Sequence, residues 1–300
     1  MREIGGWFGL ERVADAPRRI AIAVLGCPFD GAASGRCGSA QGPAAIRKWA
    51  TTEEAIDEQG RPLSGIGVTD LGDVDAAGEP PLAAIQIAAE EAIADGTTIL
   101  LGLGGDHAVT IALVSAVAER HGEIAFVMLD AHADCFPEYD GDPDSHACTV
   151  ARLWESGAVR REHTALVGLR SYATPELDRI AACGLVVPAA EWLATGAAMV
   201  GHRMLEIVGG RPLYLSIDID VLDPSAAPGT GYPVAGGPTS RQLLDLLSVI
   251  LPACSMVGVD LVEVAPGLEQ DTDITAAAAA HVLLQVMGGI GSRGSQGPVA

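Results

Sequence analysis

Two short segments set acidic and histidine side chains at alternate positions: Asp130, His132 and Asp134 in LDAHAD, and Asp218 and Asp220 in SIDID. Each follows an apolar run, IAFVM before Leu129 and LYL before Ser216. Such runs read as buried strands, on which side chains at i, i+2 and i+4 share one face. With His107 of GLGGDH the set comprises four carboxylates and two imidazoles, an inventory able to hold two divalent metals through shared carboxylates. Taken singly, an aspartate at a strand end is a turn residue and a histidine is a core residue. Taken together, these side chains sit at carboxyl ends of strands, where open α/β sheets place ligands. Four converging carboxylates without cations would repel one another and stay partly protonated. Lys and Arg near these segments are too few to neutralise them, so metal ions are the expected counter-charge.

Asp and His are hard-to-borderline ligands that suit Mn²⁺, with Zn²⁺, Co²⁺, Ni²⁺ and Fe²⁺ as other candidates. A metal pair about 3.5 Å apart lowers the pKa of a water held between its members. The set contains no thiolate, which argues against a structural zinc. The chain has neither HExxH nor GxSxG, so the expected reaction is metal-assisted hydrolysis.

These ligands are spread from His107 to Asp220 of a 300-residue chain, which argues for one domain over residues 1–290 and a disordered tail over 291–300. Hydrophobic residues make up 49% and aromatics 4%, so the core should be Ala, Val, Ile and Leu packed between helices and a sheet. The net charge of −21, from 18 basic and 39 acidic residues, argues against a nucleic-acid partner, which needs a basic face. It fits a cationic substrate or a metal better. Lys48 is the only lysine and no glycine-rich phosphate loop precedes it, which excludes a Walker-type nucleotide site.

The six cysteines (27, 37, 135, 148, 183 and 254) form no CxxC pair and no zinc-finger spacing. The N-terminal MREIGGWFGLERVADAPRR lacks the long apolar segment of a secretory signal, and no stretch is expected to span a membrane. Unpaired thiols and these absences point to a reducing cytoplasm.

Strand-like and helix-like runs alternate, the pattern of βαβ units around a mostly parallel sheet. IAIAVLG (20–26), TTILLGL, IAFVMLD, TALVGLR (164–170), RPLYLSID and MVGVDLVEV read as strands. PPLAAIQIAAEEAIADG (80–96) places Leu82, Ile85, Ala89 and Ile93 on one helical face. AVTIALVSAVAERHG and CTVARLWESG read as further helices. Thr174, Pro175 and Glu176 supply a cap, a first-turn proline and a first-turn acid for another. Ser240 is the expected cap of RQLLDLLSVIL, and an alanine-rich helix is expected from about Thr275 to Met287.

With GGDH, DAHAD and SIDIDVLDPSAAPGTG in this order and spacing, the chain resembles the ureohydrolases, the family of arginase, agmatinase, guanidinobutyrase and formiminoglutamase. The resemblance runs from roughly Leu25 to Met287. It implies a three-layer α/β/α sandwich around a parallel sheet. It also implies two Mn²⁺ per subunit, the first held by His107, Asp130, Asp134 and Asp218. The second would be held by Asp130, His132, Asp218 and Asp220, with Asp130 and Asp218 bridging. His146 in SHACT resembles the family's proton shuttle to the leaving amine, a role suited to imidazole. Glu263 in DLVEVAP resembles the acid that meets the substrate guanidinium in two parallel bonds. Ala147 stands where many relatives have Gly, and PGLEQDTDIT is one residue longer than the usual segment.

LGCPFDGAASGRCGSAQGPAAIR and PGTGYPVAGGPTS resemble agmatinase most, which implies conversion of agmatine to putrescine and urea. Guanidinobutyrase and formiminoglutamase activities stand as alternatives, with a non-catalytic metal-binding homologue behind them. Glu138, Asp140, Asp142 and Asp144 crowd the loop 135–145, which has no Lys or Arg. That loop would favour a small guanidino substrate with a cationic tail. The resemblance further implies a homo-oligomer, a trimer or hexamer.

Overall fold

Alternate residues of the central strands face opposite sides of a single sheet, and both sides are covered. The computed structural model describes residues 6–10, 20–75, 80–270 and 272–295. Most of the N-terminal segment read above, and tail residues 296–300, lie outside the described residues. The strands are β1 (Ile20–Cys27), β2 (Ile66–Asp73), β3 (Ile99–Gly104), β4 (Ala125–Leu129), β5 (Thr164–Leu169), β6 (Leu185–Pro188), β7 (Pro212–Asp218) and β8 (Ser255–Val262). They form one parallel sheet in the order β2-β1-β3-β8-β7-β4-β5-β6.

Leu101, Leu103, Val127, Leu129, Leu215 and Ile217 point to one side. There they meet Ile46 of α1 (Gly42–Ala50), Met204 of α7 (Ala197–Val208), Leu243 and Leu247 of α8 (Ser240–Ile250) and Leu283 of α9 (Ile274–Ser295). Leu100, Phe126, Met128 and Tyr214 point to the other side. They pack with Ile85 of α2 (Pro81–Ala92), Leu113 and Val117 of α3 (Val109–His121) and Leu153 of α4 (Thr149–Ser156). Two shorter helices, α5 (Thr174–Ile180) and α6 (Ala189–Thr195), flank β6. This is the expected three-layer sandwich. Burying each such aliphatic side chain contributes about 1.5–3 kcal/mol, which is why parallel strands covered on both faces read as continuous apolar runs.

Three local expectations need correction. Ala173, not Thr174, is the N-cap of α5, and the Glu176 side chain accepts its backbone N–H at 3.1 Å. Thr239, not Ser240, caps α8, its hydroxyl accepting the N–H of Gln242 at 3.3 Å. In both, the true cap is one residue earlier because the acid or amide at N3 reaches back to it. Helix α9 runs to Ser295, past the expected end at Met287 and through residues 291–295 of the expected disordered tail. Ile290 is buried and Gly291 lies so close to Ile66 that a Cβ would come within 2.9 Å of its side chain, so packing holds the last turns.

α9 also departs from the expectation that no segment suits a membrane. Ile274–Ser292 is long and apolar enough to cross one, with mean hydropathy 1.5. Ala276, Ala279, Ala280, Val286 and Met287 on this helix are nevertheless buried in the protein core. Its apolarity serves packing.

The chain order places the chemistry. After β3 the chain leaves room for two strands before laying down β4, and β7 and β8 later fill the gap. Four segments distant in sequence therefore end side by side at one edge of the sheet, in the order β3, β8, β7, β4.

Candidate metal centre and its cavity

His107 follows β3 through the turn Gly105-Asp106, which has no room for a side chain at Gly105. A Cβ on Gly105 would lie 1.8 Å from the carbonyl oxygen of Phe29. The close approach lets Asp106 donate its N–H to Phe29 at 2.7 Å, while Gly105 accepts from Glu263 at 2.9 Å. Burial pushes the Asp106 carboxyl up to about 7, and its oxygens accept the N–H groups of Ala32 and Ala108 at 2.9 and 3.1 Å.

The six candidate ligands converge, though not by strand alternation. β4 ends at Leu129 and Asp220 lies on a short helical turn, Ile219–Val221. Bends, with Asp134 at φ 46°, aim the side chains. His107 Nδ1 lies 3.1 Å from Asp130 Oδ2, 2.9 Å from Asp134 Oδ2 and 3.4 Å from Asp218 Oδ2. His132 Nδ1 lies 3.0 Å from Asp220 Oδ2 and 3.5 Å from Asp130 Oδ1. Two groups result, His107–Asp130–Asp134 and Asp130–His132–Asp220, each with donor atoms within 4.8 Å of one another. Asp130 belongs to both. Asp218 faces His107 with one oxygen and accepts the N–H of Asp220 with the other at 2.8 Å.

This donor set fits a metal pair. His107 Nδ1 and Asp130 Oδ2 are buried without a hydrogen-bond partner although they face each other, and such orphaned atoms are costly unless something else satisfies them. The far ring nitrogen is already fixed: His107 Nε2 pairs with Ser216 Oγ at 3.0 Å. Ser216 donates to Asp260 at 2.6 Å, and Tyr214 and Thr110 donate to the same carboxylate at 2.7 and 2.9 Å. A ligand histidine oriented through its second nitrogen is the usual arrangement at metal sites.

Charge in the site is unevenly distributed. Burial and the neighbouring Asp220 and Asp130 push Asp218 well up, and burial with Asp130 raises Asp220 to about 6. Burial alone would lower His132, but Asp220 and Asp130 hold it up to about 12. Asp130 goes the other way: despite burial, contacts with His107 and His132 keep its carboxyl low. Of the four carboxyls, the shared Asp130 is the one held below its ordinary value, while Asp134, Asp218 and Asp220 are raised.

Beside this centre, His146 Nδ1 lies 2.9 Å from Glu263 Oε1, and its Nε2 lies 2.8 Å from Ser34 Oγ. Burial would lower His146, but Glu263 raises it to about 9. Glu263 stands just past β8 at φ 63°, a costly conformation for a non-glycine residue that recurs at functional sites. Its Oε1 also accepts the N–H of His107 at 3.0 Å. The two parallel bonds expected from a guanidinium would need that oxygen, so Oε2 is the one left for substrate.

His132, Asp134, His146, Asp218, Asp220 and Glu263 open on a cavity of about 180 Å³, while His107 and Asp130 lie buried behind its wall. A family model described as the Arginase family matches residues 20–289. The chain belongs to the arginase family. Over 275 residues it is 36% identical to an agmatinase of Photorhabdus laumondii, covering 88% of this chain and 85% of that protein. Among solved structures it resembles the proclavaminate amidino hydrolase from Streptomyces clavuligerus, with TM-score 0.86 and 30% identity over 97% of this chain and 98% of the other. It also resembles a hypothetical agmatinase from Burkholderia thailandensis, with TM-score 0.84 and 33% identity over 97% and 92% of the two chains.

Several residues of this arginase-family site escaped the sequence reading. Ser34 comes from the β1–α1 loop, Tyr172 and Glu176 follow β5, and Tyr232 follows β7. The Tyr232 ring lies 5.8 Å from His146 and 6.2 Å from His132, centroid to centroid. Arg170 is a further omission. Its guanidinium donates to the carbonyls of Gly168, Asp220, Val221, Leu222 and Val234. The acidic loop is placed differently from expectation: Glu138, Asp140, Asp142 and Asp144 are exposed, and the loop lends the cavity Phe136 and Tyr139 instead.

Proposed function

We propose that this arginase-family hydrolase uses two divalent metals, Mn²⁺ by preference, to hydrolyse a guanidino C–N bond and release urea, with agmatine the best-supported substrate. The observation that carries the reading is the pair of donor groups sharing Asp130, set beside His146 and Glu263 in one cavity. The resemblance to agmatinases over most of the chain supports the substrate.

His107, Asp134 and Asp130 would hold one metal, and Asp130, His132 and Asp220 the other, with Asp218 completing the bridge. When bound, the pair supplies Lewis-acid activation of water. Glu263 Oε2 would fix the guanidinium, so that its carbon faces the metal side. Water adds to that carbon, the bond from carbon to the alkyl nitrogen breaks, and the departing amine takes up a proton. His146 is placed to deliver that proton. Its pairing with Glu263 favours the protonated ring, and its Nε2 faces the hydroxyl and backbone N–H of Ser34 at 2.8 and 3.2 Å.

An assay panel tests this: agmatine, arginine, 4-guanidinobutyrate and formiminoglutamate, with the enzyme loaded with Mn²⁺, Zn²⁺, Co²⁺ or Ni²⁺. Urea from agmatine at the highest kcat/KM is the expected result. Preference for 4-guanidinobutyrate would move the assignment to guanidinobutyrase, and formamide release to formiminoglutamase. No turnover under any metal would favour a non-catalytic homologue. A cytoplasmic setting and a trimer or hexamer belong to the same proposal, and sedimentation showing only monomer at micromolar concentration would count against assembly.

A further inference from the structure

The cavity wall changes character along the sheet. From β8 toward β5 it passes from Glu263 through Asp218 and Asp220 to His132 and Asp134, and ends on residues that follow β5. That far end carries Phe136, Tyr139 and Tyr172 beside one carboxylate, Glu176, while Tyr232 lies nearer His146. Phe136 and Tyr139 come from the β4 loop, Tyr172 from the β5 loop and Tyr232 from the β7 loop. Three of the four tyrosines of a chain that is only 4% aromatic thus line this one cavity. Among the described residues, no Lys or Arg lines it.

The rings are held in place. Phe136 and Tyr139 meet edge to face at 5.1 Å between centroids. The Tyr172 hydroxyl donates to the Leu169 carbonyl at 3.2 Å. Tyr232 lies flush against Gly35, where a Cβ would come within 2.4 Å of the ring.

We propose that Tyr139 and Tyr172, with Phe136 and Tyr232, form a tail subsite that selects guanidines ending in an ammonium group. This rests on the reading of the site as a guanidine hydrolase. With the guanidinium fixed at Glu263 on the β8 side, the substrate's other end extends toward β5 and reaches the rings. An ammonium within about 6 Å of an aromatic face is attracted by the ring quadrupole, and because Tyr172 and Tyr232 are exposed at 45% and 39% the attraction is that of rings open to solvent. A carboxylate tail meets the negative faces of the same rings and finds no cation to pair with.

The test compares agmatine with pentylguanidine, which has a methyl in place of the ammonium, and with 4-guanidinobutyrate. Wild type, Tyr139→Leu, Tyr172→Leu and the corresponding Tyr→Phe variants are assayed as metal-loaded enzymes. The expected order for wild type is agmatine, then pentylguanidine, then 4-guanidinobutyrate. Each Leu variant should lower kcat/KM for agmatine by roughly two- to fivefold, through KM. The Phe variants should keep most of it, and pentylguanidine should change little throughout. Equal losses for both tails, or none for agmatine, would overturn the subsite. If wild type releases urea from no guanidine, the hydrolase reading has failed, and calorimetric binding of agmatine against pentylguanidine decides the subsite by itself. A ring-dependent preference for agmatine would then support it, and equal affinities would overturn it.

Discussion

The Oε1 atom of Glu263 sits 2.9 Å from His146 Nδ1 and accepts the backbone N–H of His107 at 3.0 Å. One oxygen thereby links the proposed proton donor, the proposed substrate anchor and the turn that presents a candidate metal ligand. The three cannot shift independently. This explains why Glu263 is held at a positive φ: the strain places a carboxylate where three strands' worth of chemistry meets.

His146 is the first target. General acid catalysis is worth about 10²–10⁴-fold, so His146→Asn should lose turnover on that scale while retaining both metals by elemental analysis. In metal-free protein the same pair predicts a pH effect on stability. His146 is raised from 6.5 to about 9 in the folded state, so its contribution is fully present below pH 6.5 and is lost as pH rises through about 9. The Tm gap between wild type and His146→Asn should therefore be larger at pH 6 than at pH 9.5. A gap that grows with pH would refute the pairing.

The metals follow from Asp130. Because its two oxygens serve different donor groups, Asp130→Asn should weaken both metals and lower activity by orders of magnitude. Asp134→Asn should weaken the His107 metal in preference, and Asp220→Asn the His132 metal. Asp218→Asn should resemble Asp130→Asn. Two tightly held metals with normal turnover in Asp130→Asn would show that the shared position is misassigned.

Arg170 gives a prediction away from the reacting groups. It ties the carbonyls of Asp220, Val221 and Leu222 to that of Val234, and so sets the backbone that carries Asp220. Burial lowers the pKa of this guanidinium, and no carboxylate is among its hydrogen-bond partners. A lysine has a single ammonium and cannot reproduce the planar fork. Arg170→Lys should lose about 10–100-fold in metal affinity, the usual effect of removing a group that orients a ligand, and the His132 site should suffer more. Unchanged metal titration and Tm in Arg170→Lys would return this residue to an ordinary loop contact.

The residues that sequence could identify share a property that the others lack. Asp130, Asp218 and Glu263 stand at the ends of apolar strands and His107, His132, Asp134 and Asp220 within a few residues of them, so composition marks where they emerge, whereas His146 was named only through the family resemblance. The central strands were legible for the same reason, being buried on both faces. The outer strands were not: β2 carries Asp70 and Asp73, which pair with Arg47 of α1, and β6 has only four residues. Helices α1, α6 and α7 were also missed, α6 and α7 being parted only by Gly196. Ser34, Arg170, Tyr172 and Tyr232 come from three separate loops, with no period to betray them. Only the fold brings them together. The candidate ligands do converge, but strand alternation is the wrong reason, since bends and a short helical turn aim Asp134 and Asp220.

The acidic loop leaves the last prediction. Glu138, Asp140, Asp142 and Asp144 are exposed and none lines the cavity. Part of their role is local: Asp142 and Tyr139 exchange backbone hydrogen bonds at 3.0 and 2.9 Å, and Asp142 Oδ1 accepts the N–H of Asp144. Any effect on a cationic substrate must therefore act through space, and exposed charges are screened over about 8 Å at physiological ionic strength. The combined variant Glu138→Gln, Asp140→Asn, Asp142→Asn and Asp144→Asn should raise KM for agmatine at low salt. It should differ little from wild type at 0.5 M salt and leave kcat nearly unchanged, because the loop touches neither His146 nor the metal ligands through these carboxylates. A KM increase that persists at high salt would mean that these carboxylates contact the substrate directly, against their exposure. No increase at any salt would leave the selection of a cationic tail to the rings of Tyr139, Tyr172 and Tyr232 alone.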